Sequence, residues 1–155
     1  MARSGKRTRR LTIGDTTYLW SLRHTHRALD DGSCEDCCET LVIRSLEGRG
    51  GLRIRFRNGP DWLVPDGYPQ PSGTVGTRDG RTLNLHKPGT VRVLLDEAVQ
   101  QGWTPGRPTA EEFDGWALFE NAHRYRGKAQ PDSRREDPRY AGRRAGSISA
   151  RMSCS

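Results

Sequence analysis

The alternation of apolar and polar residues predicts a series of short strands in the first two thirds of the chain. A period of two residues is typical of a strand that buries one face and exposes the other. The pattern is clearest at Leu52–Arg57, where apolar and cationic residues alternate without exception. Further strands are predicted at residues 9–13, 18–23, 39–45 and 81–86.

A helical period appears once with clear ends, at residues 90–101. Its apolar positions follow the i, i+3, i+4, i+7 spacing of a helix with one buried stripe. Thr90 is a candidate N-cap, and Gly102 followed by Trp103 is a C-terminal signal. The stripe consists of Val91, Leu94, Leu95 and Ala98.

The remaining segments give weaker predictions. Residues 24–38 are polar and predict a long loop, and the Pro- and Gly-rich residues 61–80 predict another. Residues 104–123 carry two signals. A capping box at residues 109–112 favours a helix, whereas Gly115 and the apolar run after it favour a strand. We favour a closing strand at about residues 113–119.

Together these elements predict an α+β fold: an antiparallel sheet of four to six strands with one main helix packed on one face. We expect the helix stripe and the apolar residues of Leu52–Arg57 to form much of the core. Three tryptophans should contribute to it, namely Trp20, Trp103 and Trp116.

The charge distribution divides the chain into three parts. The net charge is +7, but residues 1–10 contribute +5 and residues 124–155 contribute +6, so residues 11–123 carry −4. We therefore predict a flexible basic N-terminal tail at 1–10, a single α+β domain at 11–123 and a disordered basic C-terminal tail at 124–155. Such tails attract polyanions without specificity.

One group of residues suggests a metal site. His24 and His26 are two residues apart, and Cys34 and Cys37 form a C-x2-C pair eight residues later. Two imidazoles and two thiolates suit tetrahedral zinc. The spacing matches no standard zinc finger, so ordinary loop or strand cysteines are the alternative. No other cofactor is predicted.

The cationic side of the strand at residues 52–57 is a second candidate site, for nucleic acid or another anion. Arginine forks match the geometry of phosphate. The alternative is an ordinary solvated sheet face, partly neutralised by a cross-strand residue such as Glu39. The candidate residues are Arg53, Arg55 and Arg57.

Several segments resemble small single-domain proteins of high-GC actinobacteria, over about residues 11–120. The resemblance implies a bacterial, cytoplasmic, single-domain protein and carries no activity or site. The segments are WSLRHTH at 20–26, LRIRF at 52–56, LVPDG at 63–67, LNLH at 83–86, PGT at 88–90 and GW at 102–103.

No catalytic constellation stands out, so we expect a non-catalytic binding or interaction module whose partner is another protein. A nucleic-acid-associated protein and a zinc-stabilised accessory domain are the alternatives. No apolar run approaches the length of about 18 residues that a membrane span needs. No apolar segment follows the basic residues 1–10, so we predict no signal peptide and a cytoplasmic location.

Overall fold

Two sheets and two helices make up the described part of the chain. This computed structural model describes residues 7–64 and 73–128, with side chains described as far as Tyr125. The larger sheet contains, in spatial order, β1 (Arg9–Ile13), β2 (Thr16–Ala28), β3 (Cys34–Ser45), β4 (Leu52–Arg57) and β8 (Glu111–Asp114). The smaller sheet contains β5 (Trp62–Leu63), β6 (Thr74–Thr77) and β7 (Thr82–Asn84). The helices are α1 (Pro88–Gln100) and α2 (Gly115–Lys128).

The α+β prediction is confirmed, but its details need correction. Strands β1 to β4 form a consecutive antiparallel meander, and β8 then pairs with β4 in parallel, so the larger sheet is mixed. The second sheet and the second helix were not predicted. The smaller sheet is built from strands of two to four residues. Such short strands leave little periodic signal in the sequence.

The predicted loop at residues 24–38 is wrong, because β2 and β3 continue through it as one long hairpin. The strands meet in a turn where the Leu29 amide donates to the Ser33 carbonyl at 2.8 Å and Gly32 has φ +79°. The register shifts between Thr25 and Arg27. This end of the hairpin is largely exposed, so its residues show no apolar alternation although they are paired.

The closing strand predicted at residues 113–119 is confirmed only at residues 113 and 114, which end β8, and is wrong beyond them, because the chain changes from strand to helix at Gly115. The Asp114 side chain accepts a hydrogen bond from the Trp116 amide at 3.1 Å, which satisfies one of the free N–H groups of the first turn. The apolar run Trp116–Phe119 is helical, and it packs against the core with the helical spacing of its buried residues. Leu118, Phe119 and Ala122 form the buried stripe of α2.

The core lies between the larger sheet and the layer formed by both helices and the smaller sheet. The predicted contributors are confirmed, since Leu52, Ile54 and Phe56 are all 0% exposed. The three tryptophans and the stripe of α1 are buried with them. Gly102 has φ +105° and the Trp103 amide donates to the Ala98 carbonyl at 2.9 Å, as the C-terminal signal predicts.

The start of α1 differs from the prediction. The helix begins two residues earlier than predicted, at Pro88, which suits the first helical position because it needs no amide partner. Lys87 occupies the N-cap position without a side-chain cap, and Thr90 is buried inside the first turn.

Replacement of Gly115 by alanine tests the close packing of α2 on β4. A Cβ at this position would lie 2.6 Å from the Phe56 ring. We expect Gly115→Ala to lower the free energy of unfolding by about 1–3 kcal/mol in urea denaturation, because the overpacked core must shift.

Gly89→Ala is the matched control, since Gly89 lies in the first turn of α1 and a Cβ there meets nothing within 4 Å. It should leave the stability unchanged or raise it by up to about 1 kcal/mol. Equal behaviour of the two variants would contradict the proposed packing.

Candidate functional site

The larger sheet has two faces of opposite character, which follow from its register. The inner face carries the core. The strand residues that alternate with the core residues point to the other side of the sheet, which we call the outer face. It consists of Arg10 and Thr12 of β1; Thr17, Leu19, Ser21, Arg23 and Thr25 of β2; Cys38, Thr40, Val42 and Arg44 of β3; Arg53, Arg55 and Arg57 of β4; Glu112 and Asp114 of β8. The helices pack against the inner face, so among the residues that the structure describes the outer face is open.

A groove runs along β3 on the outer face. The side chains of β3 at its centre are short, and Thr40 and Val42 form its floor. Longer side chains from the flanking strands form its walls, with Arg23 on one side and Arg53 and Arg55 on the other. This depression has a volume of about 260 Å³ and is lined by Arg23, Thr25, Thr40, Val42, Arg53, Arg55 and Glu112.

The groove continues into a second depression toward β1. It has a volume of about 230 Å³ and shares Arg23 and Val42 with the first. Arg44 lines its far end, together with Leu19 and Ser21. The two depressions therefore adjoin each other on the outer face, and each is bordered by arginine.

The outer face is strongly cationic, although residues 11–123 carry a net negative charge. It holds six arginines and two acidic residues. Glu112 neutralises part of the β4 wall, with 3.3 Å to Arg55 and 3.7 Å to Arg57. Within the described residues, no ion pair engages Arg23, Arg44 or Arg53, so these guanidinium groups are available to an anion.

Arg55 is held in place at the edge of the groove. Its hydrogen bonds to Cys38 and Glu112 raise the pKa of the guanidinium above its usual value, so it stays charged. The Nε atom of Arg55 is buried and has no hydrogen-bond partner in the described part of the protein. A buried donor of this kind is costly unless a ligand or water satisfies it.

The predicted arginine row is therefore on one open face, but its neutralising partner was predicted wrongly. Glu39 pairs with Phe56, which places it on the inner face, and Glu112 of β8 takes its role. Sequence reasoning missed Arg23 and Thr40. The period of two residues in β2 indicates that Arg23 lies on the other side of the strand from Tyr18 and Trp20. This alternation was the signal that could have placed Arg23 on the outer face.

A second polar group lies on the inner face, where Glu39 is buried. Its Oε2 atom is 3.0 Å from Nδ1 of His24, and the backbone of Gly73 also hydrogen-bonds it. Burial raises the pKa of Glu39, and the hydrogen bond from His24 opposes that rise. The ring of His86 packs against Gly73, since a Cβ on Gly73 would lie 2.6 Å from it. This cluster ties the larger sheet to the segment before α1.

The residues predicted to bind zinc lie on paired strands and not in a loop. His24 and His26 follow each other on one side of β2, with ring centroids 5.4 Å apart. Cys37 is buried, while Cys34 at the start of β3 is disulfide-bonded. Among residues 7–64 and 73–128, no group of three or more His, Cys, Asp or Glu side chains is arranged to hold a metal ion. A disulfide-bonded Cys34 does not supply a thiolate, so the zinc site remains a prediction that requires this cysteine to be reduced.

Comparisons of the chain with protein-family models, with curated proteins and with solved structures found no match. In the described ranges, neither helix has the length and apolar character that crossing a bilayer requires.

The buried Glu39 predicts a specific pH dependence of stability. Because its pKa in the folded protein is above the ordinary 4.5, the folded state binds this proton more tightly than the unfolded chain does. The resulting stabilisation is present below the ordinary pKa and is lost as the pH rises through the raised value. Glu39→Gln keeps a neutral side chain of the same shape at every pH.

We therefore expect the stability of Glu39→Gln relative to the unsubstituted protein to increase between about pH 4 and pH 7. Urea unfolding at several pH values, followed by tryptophan fluorescence, measures this difference. Glu47→Gln, at an exposed turn position, is the control and should give a nearly constant difference. If the stability of Glu39→Gln relative to the unsubstituted protein stays constant or falls as the pH rises, the pKa of Glu39 is not raised by burial.

Proposed function

We propose that this protein binds the phosphate backbone of nucleic acid, without regard to sequence, through the outer face of its larger sheet. The observation that carries this proposal is the groove along β3, which is walled by arginines from both neighbouring strands. Guanidinium groups bind phosphate oxygens through paired N–H donors. Thr25 and Thr40 add hydroxyl groups to the lining.

The uneven charge distribution supports this proposal. The outer face is net positive while residues 11–123 are net negative, so an anion is attracted to one side of the sheet and repelled elsewhere. The basic residues near both ends of the chain add attraction of longer range. We propose that they raise the local concentration of nucleic acid and that the groove holds it.

Sequence-independent binding fits the composition of the outer face better than base recognition does. Its strand positions contain no aromatic side chain in the described part of the sheet. Proteins that read or stack bases use aromatic platforms or side chains that reach base edges. Contacts to phosphate and sugar alone position a strand without reading it.

The double variant Arg23→Gln/Arg53→Gln tests this proposal in the full-length protein. It removes from each wall of the groove one guanidinium that has no ion pair among the described residues. We expect weaker binding of a fluorescent oligonucleotide in anisotropy titrations. The slope of the logarithm of the binding constant against the logarithm of the salt concentration should fall in magnitude by about 1.4 to 1.8, which corresponds to two phosphate contacts. Unfolding midpoints should change little, because both residues are exposed.

Arg49→Gln/Arg78→Gln is the matched control, with the same change of charge at exposed positions away from the outer face. If the two double variants lose affinity equally, net charge and not the groove drives binding. If the unsubstituted protein does not bind oligonucleotides at low salt, the proposed function is wrong.

A protein partner is the second candidate, and one exposed apolar feature favours it. Trp62 is 40% exposed although it stacks on Trp116, with ring centroids 5.3 Å apart. Leu63 beside it is 43% exposed. We also keep the cytoplasmic location as a proposal, since it suits either function. Pull-down with Trp62→Ser as the negative variant distinguishes this candidate from the first.

The zinc-stabilised accessory domain stays the third candidate. Metal analysis of freshly purified protein decides it. About one equivalent of zinc that is lost in His26→Ala would support it, and less than about a tenth of an equivalent would reject it.

A further inference from the structure

We infer that the ligand of the outer face is an extended single strand of nucleic acid that lies along β3, with its phosphates toward the sheet and its bases toward solvent. This inference rests on the proposed function and adds the form of the ligand and its orientation. Three features of the groove carry it: its width, its repeat and the chemistry of its floor.

The width of the groove admits one strand. Its walls rise from β2 and β4, which are separated only by β3, so their backbones are about 10 Å apart. The arginine side chains narrow this space further. A duplex, whose major groove alone is about 12 Å wide, cannot lie on the floor of such a channel. A single strand placed between the walls contacts both.

The arginines of the β4 wall repeat at a regular distance. Alternate residues of a strand are about 7 Å apart, which is comparable to the spacing of successive phosphates along an extended single strand. Each arginine belongs to a row that crosses the sheet. The rows are Ser21–Val42–Arg53, Arg23–Thr40–Arg55 and Thr25–Cys38–Arg57. Arg53 and Arg55 line the groove itself and Arg57 continues their row along β4, so the outer face offers three successive positions for phosphate.

The middle row has the most complete set of donors. Arg23 and Arg55 face each other across Thr40, which lines the groove between them and whose hydroxyl lies 3.8 Å from the Cys38 Sγ atom. A phosphate in this row can accept hydrogen bonds from both guanidinium groups and from the hydroxyl. It would also bring an acceptor toward the edge of the groove where Arg55 Nε lacks a partner.

The lack of aromatic residues at the described outer-face positions decides the orientation. Bases turned toward the sheet would meet arginines, threonines and Val42, and the ring of Trp20, which borders the second depression, is only 2% exposed and offers no face for stacking. Phosphates turned toward the sheet meet the charges that match them. The bases therefore point outward, and the affinity should depend little on base identity.

Anisotropy titrations of the full-length protein with a labelled oligo(dT) of twelve nucleotides and a duplex of the same length test this inference. We expect the single strand to bind more tightly than the duplex at equal salt. Three phosphates in the groove should contribute about 2 to the magnitude of the salt slope, and Arg53→Gln should lower it by about 0.7 on the single strand. Binding of the duplex, which rests on the basic ends of the chain, should not change.

Thr40→Val tests the middle row without altering charge. The substitution keeps the β-branched shape and removes the hydroxyl, so we expect about a fivefold loss of affinity for the single strand. Thr82→Val, on the smaller sheet, is the matched control and should bind normally. Equal affinities of the two threonine variants would overturn the placement of a phosphate in this row.

The outcomes separate the two proposals. If neither oligonucleotide binds, the proposed function fails and the inference fails with it. If both bind equally and the arginine variants weaken both, the face binds phosphate but not as a single-strand channel. Inorganic polyphosphate and unlabelled oligo(dT) serve as competitors of the labelled oligo(dT), with both concentrations expressed as phosphate. If polyphosphate displaces the labelled strand at the lower concentration, nucleic acid is not the preferred ligand and the inference is wrong.

Discussion

The register between β2, β3 and β4 is the constraint on which the rest of this structure depends. It places Trp20, Ile43 and Leu52 in one row on the inner face and, three residues along the strands, Arg23, Thr40 and Arg55 in one row on the outer face. A slip of one residue would exchange the two faces, bringing guanidinium groups into the core and apolar side chains into water. The burial that stabilises the fold therefore also fixes the position of every arginine on the outer face.

The strands and helices that the sequence predicted well are buried on one side and exposed to solvent on the other. Such elements show a regular alternation of apolar and polar residues within a short segment. Strand β4 is buried on one face and solvated on the other, so its alternation is complete. Helix α1 has a full apolar stripe and a glycine at its C-terminal end. The far end of the β2–β3 hairpin has no such contrast, because both of its faces are largely exposed, and its polar residues resembled a loop.

The end of the described chain was harder to predict because it depends on a distant strand. Strand β8 pairs with β4 in parallel across more than fifty residues, and no periodic pattern reports such a contact. Once β8 is in place, Gly115 can lie against Phe56 and start α2 immediately. The apolar run after it then packs as a helix, although its composition favours a strand.

The candidate site was predicted in part, for related reasons. The arginines of β4 were visible because their alternation is strict, whereas the opposite wall depends on one arginine of β2. The short residues of β3 that make the groove a depression have no signature of their own. The buried pair of His24 and Glu39 was also missed, because His24 had been assigned to a loop and Glu39 to the opposite face of the sheet.

The position of Glu112 gives the outer face an internal competitor for any incoming anion. Its carboxylate already contacts Arg55 and Arg57, so a phosphate at these residues would replace one anion by another. At Arg53, by contrast, no ion pair with a carboxylate of the described residues has to be broken first. In the rows of Arg55 and Arg57 a phosphate would thus exchange with a carboxylate, whereas in the row of Arg53 it would only be added, and a flexible strand would enter the proposed channel from the Arg53 end.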